Sequence, residues 1–224
     1  MTTSAWNPIF LSVKCGLVSG LLTLPWGIGW GWLLARHEFR GKMFLQTLLM
    51  LPLVLPPVLT GYILLSLSGL HSPLGRFLDN TFAFRFVLDW KGCVLAAFVV
   101  SSPFMVQCVK QSMEQVDGRL ELIARSLGAS WCKVFWSITL PLCWPGLAAG
   151  FAMVFARSVG EFGATIILAG NIPLKTQTIS LAIYNKVYLG QETSVVPLAC
   201  SAFVLSYLGL GASEWFTKKR NCHQ

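Results

Sequence analysis

The chain has 224 residues, of which 54% are hydrophobic and only 12% charged, and its mean hydropathy is +0.64. A water-soluble domain gives about a quarter of its residues to Asp, Glu, Lys and Arg, so this chain has too little polar surface to face water and reads as a protein in lipid. The formal net charge is +8, but the basic residues sit in short clusters between apolar runs. That pattern orients a membrane protein and excludes a phosphate-binding face, so no nucleic-acid partner is expected.

Crossing a hydrocarbon core of about 30 Å takes about 20 apolar helical residues. Five stretches reach that length. The first, Phe10 to Ala35, is too long for a signal peptide and lacks a basic n-region and a small-residue cleavage site, so it stays as a span. The second, Met43 to Leu70, contains Pro52, Pro56 and Pro57. Each proline removes a backbone donor, so this span is predicted to be kinked and to face other helices. The third runs from Trp90 to Val109. The fourth lies within Ile138 to Gly170, with Pro141 and Pro145 marking interfacial opening turns and the crossing starting near Trp144. The fifth runs from Val195 to Phe216. The expected fold is an all-α, polytopic transmembrane bundle of about five spans, forming one domain over 1–224.

Loop charges set the orientation. Arg36, Arg40, Lys42, Lys110, Arg119, Arg125, Lys133, Lys218, Lys219 and Arg220 fall on one side, against Arg76, Arg85, Lys91, Lys175 and Lys186 on the other. The richer side is cytoplasmic by the positive-inside rule, which puts the N-terminus outside and the C-terminus inside. Gly16 with Gly20, Gly27 with Gly31, and Gly146 with Gly150 have the spacing that lets membrane helices approach closely.

None of the seven cysteines forms a Cys-x-x-Cys pair, and most lie in apolar runs, so neither a metal site nor a disulfide framework is expected. His37, His71 and His223 fall in loops or the tail. No cluster of catalytic groups lies within the spans, and no catalytic residue is assigned.

The third loop, 111–141, is the most informative stretch. Asp117 is a candidate N-cap, Leu120, Ile123, Ala124 and Leu127 share one helix face, and Gly128 suits a left-handed helix end. A second apolar series follows at Trp131, Val134, Phe135 and Ile138, ending at Leu140-Pro141. From amphipathicity alone, this helix–glycine–helix element reads equally as a connector lying over the end of the bundle.

The spacing of Glu121, Ala124 and Gly128, followed after nine residues by Ile138-x-Leu140-Pro141, resembles the "EAA" loop of permeases in ATP-binding-cassette importers. The triplet in register with Glu-Ala-Ala is Leu122-Ile123-Ala124 here, with the acid one position earlier at Glu121. The resemblance implies a type I importer permease fold whose loop seats a short coupling helix on an ATPase subunit. Carried over, the ATPase-coupling residues are Glu121, Ala124, Arg125, Leu127 and Gly128. The chain lacks the Gly-x-x-x-x-Gly-Lys-Ser/Thr loop that cradles phosphates. ATP and Mg would therefore be bound by the partner ATPase, and no cofactor is expected in this chain.

Arg157 and Glu161 lie mid-way along the fourth span at i and i+4, so they are expected to share one helix face. A charge at the bilayer centre costs at least about 2.5–3.5 kcal/mol, so such residues face a bundle interior or a water-filled path. Two readings stand: a structural ion pair, or a pathway lining in which Arg157 eases passage of an anion. A secondary transporter or channel would also explain the spans and charges, but not the loop.

Leu51-Pro-Leu-Val-Leu-Pro-Pro57 with Gly61-Tyr62, Phe155-Ala-Arg-Ser-Val-Gly-Glu-Phe-Gly-Ala-Thr165, and Gly170-Asn-Ile-Pro173 with Thr176-Gln-Thr178 resemble the molybdate permeases of this importer family. The sulfate permeases share the coupling loop and a similar Arg-Ser-x-Gly-Glu segment. The resemblance implies a translocation pathway touching Arg157, Ser158 and Glu161 and no metal site. It also implies a homodimer of this chain on an ATPase dimer, fed by a periplasmic molybdate-binding protein in a bacterial inner membrane.

Overall fold

The computed structural model describes residues 3–69, 72–82 and 85–221. The expected end of the second span at Leu70, together with His71, Cys222 and His223, lies outside them. Among the described residues every regular element is helical. Three helices are long and apolar enough to cross a bilayer singly: α1 (Thr3–Arg36), α5 (Trp90–Glu114) and α12 (Val196–Asn221). Between α1 and α5 come α2 (Lys42–Val54), α3 (Pro57–Ser68) and α4 (Pro73–Phe82). Between α5 and α12 come α6 (Gly118–Ser126), α7 (Trp131–Val134), α8 (Leu140–Leu142), α9 (Trp144–Val159), α10 (Gly163–Ala169) and α11 (Ile179–Tyr188). Counting each bent pair as one span gives five spans, as the hydropathy predicts.

The second span is broken more sharply than a kink. Helices α2 and α3 meet at 109°. The Leu55 N–H closes α2 on Leu51 O at 3.0 Å, and the next two residues, Pro56 and Pro57, bring no donor with which to continue. Pro57 then occupies the first turn of α3, where a missing N–H costs nothing. The fourth span bends by 64° before Trp144, where the crossing was expected to start. Its approach is irregular too: residues Phe135–Thr139 form a π-helical turn, with the Leu140 N–H reaching back to Phe135 O ahead of Pro141.

Lipid gives no hydrophobic drive for one helix to meet another, so close backbone approach and packing must hold the bundle. The three glycine pairs mark the three crossings of its core. A methyl group added at Gly16 or Gly20 would stand 2.9 Å from Phe155 Cδ2 or 2.7 Å from Phe151 Cε2, which is the seam between α1 and α9. Gly27 and Gly31 lie against Met105 and Val109, the seam between α1 and α5, and Gly146 and Gly150 lie against Ser112 and Met105, the seam between α9 and α5. Helix α5 is central: 67% of its apolar window is buried, against 33% for α1 and 17% for α12. Met105, Val109 and Met113 of α5 interlock there with Leu147 and Val154 of α9 and with Leu24, Ile28 and Trp32 of α1.

The outer helices use the same device. Gly209 of α12 lies against Ala156 of α9, and Gly61 of α3 against the backbone of Ala164 in α10. Ser12 of α1 accepts a hydrogen bond from the Ile179 N–H at 2.8 Å, satisfying the start of α11 from a neighbouring helix.

Candidate coupling helix and intramembrane charge pair

The loop between α5 and α9 builds its helix as the caps predict. Asp117 Oδ1 accepts the Arg119 N–H at 2.9 Å. At the other end the Ala129 N–H reaches Ala124 O and the Gly128 N–H reaches Arg125 O, both at 3.0 Å, with Gly128 at φ +88°. These two bonds form a Schellman motif, and the positive φ is why glycine stands at that position.

No residue of α6 is buried. Leu120, Leu122, Ile123 and Leu127 are all exposed, Leu127 at 83%, so the expected apolar stripe does not cover the end of the bundle. Ala124 is half-buried and Arg125 exposed, its guanidinium 5.8 Å from the centre of the Trp131 ring. Trp131 in turn packs edge-on against Trp32 at 5.2 Å and stacks with His37, fixing α7 to the end of α1.

Glu121 departs from the rest of its helix. Its Oε1 lies 2.8 Å from Arg36 Nη2 and accepts the Thr139 hydroxyl at 2.7 Å. Successive helical residues point about 100° apart. An acid at 121 therefore faces the bundle, whereas one at 122 would face out with Leu122. Of the five coupling residues expected from the sequence, Arg125, Leu127 and Gly128 are exposed and Ala124 partly so, but Glu121 is turned inward.

The intramembrane pair forms, but not on a continuous helix. Helix α9 ends at Val159, and Glu161 lies in the break before α10. Arg157 Nη1 is 2.9 Å from Glu161 Oε2, and Glu161 Oε1 accepts the Ala164 N–H at 3.0 Å. The carboxylate thus satisfies a free donor in the first turn of α10 while holding the guanidinium. The Arg157 side chain is 32% exposed and that of Glu161 only 3%.

Ser158 does not join this pair. Its hydroxyl lies 3.0 Å from Ser19 Oγ of α1 and 3.5 Å from Ser101 Oγ of α5, and it donates to Val154 O at 2.7 Å. It is a buried contact tying α9 to α1 and α5. Ser19 and Ser101 were not foreseen, because a serine in an apolar helix commonly bonds its own preceding turn and gives no sign of a partner elsewhere. Lys14, a charge inside the first span, was also missed; its ammonium sits 3.6 Å over the Trp90 ring.

Charges held inside a bundle of broken, glycine-seamed helices, with the largely exposed α6 presented at one end, mark a multi-pass membrane protein. The chain belongs to the family of binding-protein-dependent transport system inner membrane components, which it matches over residues 27–221. It is 43% identical to the molybdenum transport system permease protein ModB of Escherichia coli K12 over 219 residues, covering 97% of this chain and 96% of that one. It is 44% identical to the ModB of Haemophilus influenzae over 214 residues, covering 95% and 93%. The sulfate transport system permease protein CysT of Salmonella typhimurium is 35% identical over 174 residues, covering 78% of this chain and 62% of CysT. The fold is that of a chain of the MetNI methionine ABC transporter, with a TM-score of 0.69 at 14% identity, covering 98% of this chain and 95% of that one. A chain of a bacterial alginate ABC transporter, solved with an alginate-bound periplasmic protein, gives 0.72 at 15% identity, covering 96% and 78%.

Proposed function

We propose that this chain is the permease of an ATP-driven importer that carries molybdate across a bacterial inner membrane, with ATP hydrolysed by a separate subunit. The observation that carries the reading is the match, at 43% identity over 97% of the chain, to a molybdenum transport permease. The sulfate permease match is both weaker and shorter, so sulfate is the second reading. The working unit is two copies of this chain on two ATPase subunits, fed from outside by a periplasmic molybdate-binding protein.

On this reading the α6 end is cytoplasmic. The exposed side chains of Leu122, Ile123, Arg125 and Leu127 seat on the ATPase, in the register that the helix end at Gly128 fixes. In the membrane, Arg157 supplies positive potential to a passing dianion. Glu161 holds that guanidinium in place at 2.9 Å, and the Arg157 side chain stays partly exposed.

Expression in a bacterium lacking its own molybdate permease tests the substrate. At trace molybdate the chain, with its ATPase and binding protein, restores activity of a molybdenum-dependent enzyme. Failure there, with rescue of a sulfate-permease-deficient strain instead, reverses the two readings.

A further inference from the structure

We infer that Arg36, Glu121 and Thr139 form the joint through which movement of α6 reaches the spans, a positioning role that rests on the proposal that α6 docks on an ATPase. Three separate parts of the chain meet on one carboxylate. Arg36 is the last residue of α1, where the helix dipole favours a cation, and its Nη2 contacts both Glu121 Oε1 at 2.8 Å and Val116 O at 3.2 Å. Val116 belongs to the short link between α5 and α6. Thr139 is 2% exposed and closes the π-helical turn whose continuation, past Pro141 and the 64° bend, is α9. Arg157 and Ser158 lie at the far end of that same helix.

The joint is shielded, with Arg36 and Glu121 side chains 17% and 19% exposed. A desolvated pair is screened far less than a surface one, and opening it strands a charge. Arg36 Nε is buried with no hydrogen-bond partner, so loss of Glu121 would leave the guanidinium charge uncompensated, with the Val116 carbonyl as a neutral contact. Because α6 buries no side chain fully, little else grips it. A push on α6 must therefore carry the end of α1 and the root of α9 with it, or break the pair.

The test uses the complete complex with its ATPase in sealed vesicles, measuring ATP hydrolysis and molybdate uptake on the same sample. The variants are Arg36→Gln, Glu121→Gln, the double variant, Arg36→Lys and the shape-preserving Thr139→Val. The joint predicts that both single Gln variants keep the ATPase bound and hydrolysing while uptake per ATP falls about tenfold, with the double variant no worse than either single. Arg36→Lys keeps most of the uptake, and Thr139→Val loses part of it. Unchanged uptake per ATP in both singles overturns the joint, as do losses that multiply in the double variant. Loss of bound ATPase in Glu121→Gln makes Glu121 a docking contact and overturns it too. If the wild-type complex imports no oxyanion, the transport reading itself fails, an outcome distinct from a working complex that is indifferent to these substitutions.

Discussion

Arg157 and Glu161 touch at 2.9 Å across the break between α9 and α10, yet they share the pair unequally: the arginine is 32% exposed and the glutamate 3%. Removing Arg157 strands a buried carboxylate, which costs on the order of 3 kcal/mol. Removing the charge of Glu161 leaves a cation that is about a third uncovered, which should cost less than stranding the buried carboxylate. Arg157→Gln is therefore expected to assemble poorly and Glu161→Gln nearly normally, as thermal unfolding in detergent would show. The double variant Arg157→Gln with Glu161→Gln should recover assembly but not uptake. Recovery of both would leave the pair a purely structural one.

Gly128 at φ +88° ends α6, and nothing crowds its missing side chain. Gly128→Val places a β-branched residue in a conformation it resists, at about 1–2 kcal/mol. The helix end should fray and the apolar face lose its register, while the spans still insert. Co-purification of the ATPase should fall several-fold, and Gly128→Asn, which tolerates positive φ, should retain most of it.

At Gly61 the constraint is space. An added Cβ would lie 2.8 Å from both Cα and O of Ala164, and backbone cannot yield as a side-chain tip can. Gly61→Leu is expected to push α3 off α10, destabilising the bundle by about 1–3 kcal/mol. A lowered unfolding midpoint and faster proteolysis would register it, and an unshifted midpoint would contradict the close packing.

How much of this was legible in sequence differs from element to element. Hydropathy alone marks all five apolar stretches, which the structure forms as three single helices and two bent pairs, since length and apolarity are local properties. The prolines at 52, 56 and 57 mark a disruption, but its 109° angle depends on what α3 packs against, and that is Ala164 more than a hundred residues away. The glycine pairs were visible as pairs, while which seam each one fills was not. Caps at Asp117 and Gly128 define α6 from its own residues. The inward turn of Glu121, by contrast, is set by Arg36, a residue 85 positions earlier that in the sequence is simply one basic loop charge among ten. The break at Gly160 was missed for a related reason: Glu161 caps α10 with its side chain, which no helical periodicity reports.

On the proposed function, this chain forms a path for molybdate whose cycle is driven by ATP on a separate subunit. Uptake of radiolabelled molybdate into vesicles containing this chain, its ATPase and the molybdate-loaded binding protein tests it most directly. Uptake should require ATP, should stop when the ATPase is omitted, and should resist a large excess of sulfate. Equal uptake without nucleotide or without the ATPase would contradict it.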